Sequence, residues 1–157
     1  MRDSGRTVAN TGRGATRWVR VRSDLDAPPG RVYKAWSSPE ELTRWFPYRV
    51  EGSLTPGSRS ILVWPDQRIW WDVLTAEPDA GFSFRWPWLE DESYQTEVAV
   101  TILRRGYGSV VTIEDGPFDT SRPEILDAYA EACQGWAQAI CLLRAQLDFS
   151  VDLRPQR

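Results

Sequence analysis

The sequence of 157 residues predicts a single α+β domain in which a curved antiparallel sheet packs against one long C-terminal helix. Two observations lead to this class. Seven short strand candidates follow one another at hairpin spacing, and an amphipathic helix of about 25 residues follows the last of them. A third observation, a pair of short helices that begin at prolines, places two helices between the first strand and the second.

Alternating apolar side chains predict the first strand, which carries Val19, Val21 and Leu25 on one face and ends at Asp26. Two prolines, Pro28 and Pro29, then begin a helix. Proline suits this position because the first helical turn leaves its N–H groups unpaired in any case. One face of the helix is apolar and is formed by three residues: Val32, Tyr33 and Trp36.

A second short helix is predicted directly after the first. Ser38 is its N-cap, Pro39 takes the first helical position, and the carboxylates of Glu40 and Glu41 lie in the first turn. Three residues are expected to form its apolar side: Leu42, Trp45 and Phe46.

Six further strand candidates follow, separated by turns rich in proline, glycine and aspartate. They lie near residues 48–54, 58–64, 68–77, 81–86, 94–104 and 109–115. Hairpin spacing makes them a meander, and we expect the first strand to return beside the last.

Pro123 opens the final helix, on which apolar residues recur at helical spacing. They are Tyr129, Trp136, Ile140, Leu143 and Leu147. A strongly curved sheet cannot fill its concave face with its own side chains, and a single helix laid across that face fills it incompletely. We therefore expect a cavity between the helix and the sheet.

Residues 26–46 read D-A-P-P-G-R-V-Y-K-A-W-S-S-P-E-E-L-T-R-W-F, and the final helix contains Gly135 followed by Trp136. These two segments resemble the START-like (SRPBCC) superfamily, in particular the branch named after the activator of the ninety-kilodalton heat-shock protein ATPase. The pattern of that branch is A-P-x-x-x-V-[WFY]-x-A-[WL]-[ST]-x-P-x-x-[LIV]-x-x-W-[WF], and its long helix opens with G-W. The resemblance covers residues 18–148 and implies the helix-grip, birch-pollen-allergen-like fold.

The expected organisation has three parts. Residues 1–16 contain almost nothing apolar and are expected to form a disordered tail. Residues 17–149 form the START-like domain, and residues 150–157 form a short C-terminal tail.

Composition excludes several classes of partner. A net charge of -3 and a pI near 5.1 argue against nucleic acid, because binding phosphate requires a concentrated basic surface. No apolar run reaches the length of a membrane span, and the N-terminus lacks the apolar core of a signal peptide. We expect a cytoplasmic protein that is a monomer or a weak homodimer.

Histidine is absent from the sequence. This removes the commonest general base and the commonest metal ligand, and with them any Ser-His-Asp triad or histidine-bearing zinc site. We assign no catalytic residue and expect no cofactor and no metal. The composition therefore favours binding over catalysis.

Nine tryptophans are the unusual feature of the composition. They indicate either an aromatic-lined pocket for a flat or lipidic ligand or an aromatic core. Eight residues are expected to line the cavity: Trp36, Trp45, Trp71, Phe84, Trp86, Tyr129, Trp136 and Ile140. Trp71 stands where relatives of the resembled family commonly carry glycine, so we expect a narrowed or reshaped pocket.

Polar groups for the cavity are harder to assign, because strand alternation turns half of any such set outward. The candidates are Asp72, Arg85, Glu97 and Thr101, with Tyr94, Glu114 and Asp115 in the wider set. Asp115 and Gly116 end the last strand candidate, where the resembled family often carries an acidic residue and a glycine.

Gly135 is expected to mark a close approach of the helix backbone to a bulky group, since glycine inside a helix costs roughly 1 kcal/mol relative to alanine. Trp136 should then point between the helix and the sheet. We expect alanine at this position to cost less stability than the loss of a fully packed tryptophan.

Three functions follow from these observations. The leading interpretation is a binding protein for a small hydrophobic or aromatic molecule, without covalent chemistry. The alternatives are a cyclase, dehydratase or hydrolase that uses pocket arginine, tyrosine and carboxylates, and a chaperone-associated interaction domain. Fold alone does not decide between them.

Overall fold

The computed structural model describes residues 15–155. Residues 1–14 and 156–157 lie outside the described residues, and with them most of the predicted N-terminal tail and the end of the predicted C-terminal tail. The described chain has the α+β helix-grip fold expected from the sequence. Its elements are β1 (Thr16–Leu25), α1 (Pro29–Ser37), α2 (Pro39–Leu42), β2 (Arg49–Glu51), β3 (Arg59–Trp64), β4 (Gln67–Glu77), β5 (Gly81–Trp88), β6 (Tyr94–Arg105), β7 (Gly108–Asp119) and α3 (Pro123–Phe149).

The seven strands form one antiparallel sheet in the order β1-β7-β6-β5-β4-β3-β2. The predicted return of the first strand beside the last is confirmed, with Val21 opposite Ile113 in the ladder. Six of the seven strands are consecutive hairpin neighbours, since short turns join antiparallel strands more readily than long connections do.

The helix pair begins as the prolines predict, with Pro29 and Pro39 in the first turns of α1 and α2. The Ser38 side chain accepts a hydrogen bond from the backbone N–H of Glu41 and so caps α2. The second helix is shorter than expected, however, and ends at Leu42. Phe46 precedes a proline, and this position disfavours the helical conformation. Trp45 and Phe46 therefore lie in the turn after α2.

The long helix α3 packs mainly against β1 and β7, at one side of the sheet. It buries an apolar stripe that includes Ile125, Leu143 and Leu147. Strand order places β2, β3 and β4 at the opposite side of the sheet. One helix that covers the first side leaves a groove between itself and those three strands.

Asp148 fixes the end of α3 to the start of the helix pair. Its carboxylate accepts hydrogen bonds from the backbone N–H groups of Asp26, at 2.9 Å, and Ala27, at 3.0 Å. These donors precede α1, where backbone N–H groups have no helical partner. The carboxylate is 1% exposed, and its hydrogen bonds join parts of the chain that are 121 and 122 positions apart.

Residues 151–155 fold back over the turn that precedes β2. Arg154 donates from Nη1 to the carbonyl oxygen of Pro47 at 2.7 Å, and Tyr48 donates from its hydroxyl to the carbonyl oxygen of Pro155 at 2.7 Å. The guanidinium also lies 4.7 Å from the centre of the Tyr48 ring. Among the described residues, no helix has the length and apolar character needed to cross a membrane.

Candidate functional site

Four of the expected cavity residues lie instead in a packed interior, the aromatic core, defined here as Trp36, Trp45, Trp71 and Phe84. None is more than 1% exposed. Trp71 stacks on Phe84 with ring centres 3.6 Å apart, and Trp36 meets Trp45 edge-on at 4.9 Å. The large Trp71 side chain fills the space beneath the helix pair where the cavity was expected. The structure thus corrects the expected position of the cavity.

An open cleft of about 1070 Å³ lies beside the aromatic core, between α3 and the strands β2 to β5. Its helix side is formed by Glu131, Ala132, Gly135, Trp136, Gln138, Ala139 and Leu142. Its other walls are formed by Phe46, Tyr48, Arg49, Val63, Trp64, Pro65, Asp66, Gln67, Ile69, Trp86, Trp88, Arg154 and Pro155. Two of the eight expected cavity residues, Trp86 and Trp136, belong to this set.

Four tryptophans line the cleft, and all four turn their indole N–H groups into the protein. Trp64 donates to the carbonyl oxygen of Phe46 at 3.0 Å, and Trp88 donates to Oγ1 of Thr96 at 2.8 Å. Trp136 donates to Oδ2 of Asp115 at 2.9 Å, and Nε1 of Trp86 is buried. Trp64 and Trp88 are half-buried, whereas Trp86 and Trp136 are buried. The first two rings therefore offer the cleft most of the tryptophan carbon surface, which suits an apolar or aromatic ligand.

Asp115 lies behind the tryptophans of the cleft and fixes two of them through hydrogen bonds. The carboxylate is fully buried and accepts hydrogen bonds from the hydroxyl of Thr96 and from Trp136, and Thr96 in turn accepts from Trp88. Burial raises the pKa of Asp115 to about 6, since desolvation outweighs the hydrogen bonds that favour the charged form. The indole N–H of Trp86 is close enough to lower this pKa, although the pair does not meet hydrogen-bond geometry.

Gly135 lies on the cleft wall rather than at a tight packing contact. A Cβ built at this position would meet no heavy atom within 4 Å, so the expected close approach of the helix backbone is wrong. Glycine here keeps the cleft wide at a cost in helix propensity of roughly 1 kcal/mol.

Trp136 points between the helix and the sheet, as expected, but it is packed more tightly than a residue that only lines a cavity. It is 2% exposed and contacts Trp86 at a ring distance of 5.1 Å and Phe46 at 5.7 Å. Because the ring is buried and hydrogen-bonded, we predict that Trp136→Ala costs about 3–5 kcal/mol, rather than the smaller loss expected for a residue that only lines a cavity.

The remaining expected residues lie away from the cleft. Tyr129 packs edge-on against Phe118 at 5.6 Å on the β7 side of α3, and Ile140 is buried in the core. Asp72 pairs with Arg59 at 2.6 Å, and this partner lowers the pKa of Asp72.

Arg85 and Glu97 pair at 2.8 Å, and Thr101 is exposed. Asp72 and Arg85 point outward because Trp71, Phe84 and Trp86 occupy the inward positions of β4 and β5. Glu97 and Thr101 point outward because Val98, Val100 and Ile102 occupy the inward positions of β6.

Several wall residues were missed by the sequence reasoning: Phe46, Trp64, Trp88, Gly135 and Arg154. A signal existed for Trp64 and Trp88, because each stands beside a proline at or near a strand end. No local pattern identifies Arg154, since its role depends on the return of the chain end to residues 46–48. Within residues 15–155, no group of three or more His, Cys, Asp or Glu side chains could hold a metal ion.

Comparison with known proteins identifies a family and several solved structures with the same fold. A family model described as "Activator of Hsp90 ATPase homolog 1-like protein" matches residues 26–148. A search of curated proteins finds no match.

Several solved structures share the fold of this chain. Protein MLL2253 from Mesorhizobium loti is 24% identical, with a TM-score of 0.74 over 87% of this chain and 100% of that one. DynU16, a protein of the dynemicin biosynthetic locus, is 22% identical, with a TM-score of 0.75 over 88% of this chain and 49% of that one. The Aha1 dimer from Colwellia psychrerythraea is 16% identical, with a TM-score of 0.74 over 85% and 97%. At these identities the similarity shows the fold.

Proposed function

The chain belongs to the family of Activator of Hsp90 ATPase homolog 1-like proteins, and we propose that it binds a small, flat hydrophobic or aromatic molecule in the cleft, without covalent chemistry. The observation that carries the proposal is the wall of four tryptophans, Trp64, Trp86, Trp88 and Trp136, around a space of about 1070 Å³. Small-molecule sites in proteins are typically concave, mostly apolar and of this size.

The wall is preorganised for such a ligand. Hydrogen bonds to Phe46, Thr96 and Asp115 hold three of the four rings in place, so a ligand does not have to order them. Ring faces and edges then stack on an aromatic guest with little loss of side-chain freedom.

Asp115 is the residue that most favours the alternative function, an enzyme, because a carboxyl group with a pKa near 6 suits a general acid or base. The side chain is fully buried behind Trp136 and Trp88, however, and it does not line the cleft. A catalytic group must come within hydrogen-bond reach of the proton that it transfers. The arrangement supports binding better than catalysis.

The proposal is tested by titrating the protein with 1-pyrenemethanol, a flat and uncharged aromatic probe, while tryptophan emission is recorded. We expect quenching by energy transfer to pyrene and a Kd in the micromolar range, about −8 kcal/mol of binding free energy. A flat response would overturn the proposal.

Gly135→Leu supplies the matched test of location. The leucine would occupy the cleft, and we expect the Kd to rise at least about tenfold, the equivalent of about 1.4 kcal/mol. Ala137→Leu adds the same side chain two residues along α3, at an exposed position that does not line the cleft, and should leave the Kd unchanged. Equal affinities of the two variants would place the binding elsewhere.

A further inference from the structure

A second, smaller cavity of about 590 Å³ adjoins the cleft, between the N-terminal half of α3 and the β5–β6 turn. Both spaces share Gln67, Ile69, Trp86, Trp88 and Glu131 in their walls. The two spaces therefore adjoin along these side chains.

The smaller cavity is acidic. Five carboxylates line it, and we refer to them as the acidic mouth: Glu90, Glu92, Glu124, Asp127 and Glu131. Glu124 pairs with Arg122 at 2.8 Å, whereas the other four make no ion pair within the described part of the chain.

The cations around the two spaces are already engaged. Arg68 in the smaller cavity binds Glu51 at 2.6 Å, and Arg49 binds the same carboxylate at 2.8 Å. These two guanidinium groups lower the pKa of Glu51 to about 2. Arg154 is held by Asp152 at 2.8 Å and by the carbonyl oxygen of Pro47. An anionic ligand would have to break one of these pairs and would also face the acidic mouth.

A cationic ligand, in contrast, would be attracted by the charges around the smaller cavity. Unpaired carboxylates lie at the mouth, and the Trp86 and Trp88 rings form the boundary between the mouth and the cleft. Ring faces attract organic cations through the aromatic quadrupole. Among the described residues no three carboxylates are placed to hold a metal ion, whereas an ammonium group needs only one or two of them as partners.

We propose, building on the function proposed above, that the natural ligand is a flat hydrophobic molecule carrying a protonated amine. Its ring system stacks between the tryptophans of the cleft, and its ammonium group lies in the acidic mouth. The neutral ring body accounts for most of the affinity, and the charge selects among ligands of similar shape.

Three pyrene probes that differ only in the group on one methylene test this selection: pyrenemethylammonium, pyrenemethanol and pyreneacetate. We expect the ammonium probe to bind more tightly than the acetate, with the alcohol between them. Because water screens carboxylates at a surface, the expected difference between ammonium and acetate is only about tenfold. The difference should shrink at about 1 M salt, where the Debye length falls to about 3 Å.

The double variant Asp127→Asn/Glu131→Gln locates the effect. We expect the ratio of ammonium to alcohol affinity to fall about fivefold. Glu40→Gln/Glu77→Gln removes the same charge from exposed positions that do not line either space, and should leave this ratio unchanged.

The outcomes separate the two proposals. Equal binding of all three probes, or preference for the acetate, overturns the ammonium ligand and leaves the binding function intact. An equal fall of the ratio in both double variants overturns the role of the acidic mouth. Failure of every probe to bind overturns the proposed function itself.

Discussion

Single residues decide how rigid the tryptophan wall is. Asp115 lies at the point where Thr96, Trp88 and Trp136 meet, so one buried carboxylate sets the orientation of two rings of the cleft. A group of this kind is costly to bury, and its position is kept because each oxygen has a donor. Gly116 lies next to it, and a Cβ there would come within 2.5 Å of the Trp18 ring, so glycine is required sterically.

Stability should depend on pH through Asp115. The rise in its pKa from 3.8 to about 6 means that the folded state holds this proton more tightly, so the contribution is full below about pH 4 and is lost as the pH rises through about 6. At 1.36 kcal/mol per pH unit the loss amounts to about 3 kcal/mol. Carboxylates with a lowered pKa, such as Glu51 at about 2, act at lower pH and in the opposite direction.

The measurement compares urea unfolding of the protein and of Asp115→Asn between about pH 4.5 and about pH 7. We expect the free energy of unfolding of the unsubstituted protein to fall relative to the variant across this window. Glu40→Gln, an exposed change, should run parallel to the unsubstituted protein. If the asparagine variant does not fold, carbon-13 titration of the Asp115 carboxyl decides the question, and a midpoint near 4 would contradict the assignment.

At the scale of elements, the position of α3 creates the cleft. The helix covers the β1–β7 side of the sheet and is fixed at its C-terminal end by Asp148, while the strands from β4 to β2 curve away from it. The helix pair α1–α2 is held against the same joint, because the backbone that enters α1 donates to Asp148.

Asp148→Ala should loosen this joint. The N–H of Ala27, a buried residue, would lose its acceptor, whereas the exposed N–H of Asp26 can bind water. Since an unpaired buried donor costs about 1–3 kcal/mol, we expect the free energy of unfolding to fall by about 1–3 kcal/mol. Asp127→Ala, an exposed substitution on the same helix, should change stability by less than about 0.5 kcal/mol. Chemical denaturation of both variants checks the prediction, and equal losses would show that Asp148 is not a joint.

For the whole molecule, the notable property is a filled interior beside an open cleft. Trp71 occupies the space beneath the helix pair, in contact with Phe84 and Trp36, and the cleft lies outside that core. Trp71 is also one of the buried indoles whose N–H has no hydrogen-bond partner within residues 15–155. Its side chain therefore contributes through packing.

Trp71→Ala should reopen the interior. We expect a loss of about 3–5 kcal/mol in the free energy of unfolding, as for other large-to-small core substitutions. Added indole should then raise the melting temperature of the variant more than that of the unsubstituted protein, because a ligand that binds only the folded state stabilises it by mass action. Tyr107→Ala, at a side chain that is 96% exposed, is the control and should respond to indole like the unsubstituted protein. The same response in all three proteins would mean that no internal cavity forms.

The fold class, the helix pair, the strand order and the long helix could be predicted from the sequence, because proline positions, alternation and helical spacing are local properties of the chain. Alternation also predicted that half of the polar candidates would point outward, yet not which half: Asp72, Arg85, Glu97 and Thr101 proved to be on the outer face, and Asp115 on the inner one.

The position of the cleft depends on contacts between distant parts of the chain, and the sequence did not predict it. Whether a tryptophan fills a core or lines an open space depends on which rings approach it from elements far away in the sequence. Trp71 and Trp86 stand on adjacent strands and look alike in the sequence, but Trp71 is enclosed by Phe84 and Trp36, whereas Trp86 borders the groove that α3 leaves open. The return of Arg154 to the turn at residues 46–48 is likewise a contact across 107 positions, and no pattern of neighbouring residues records it.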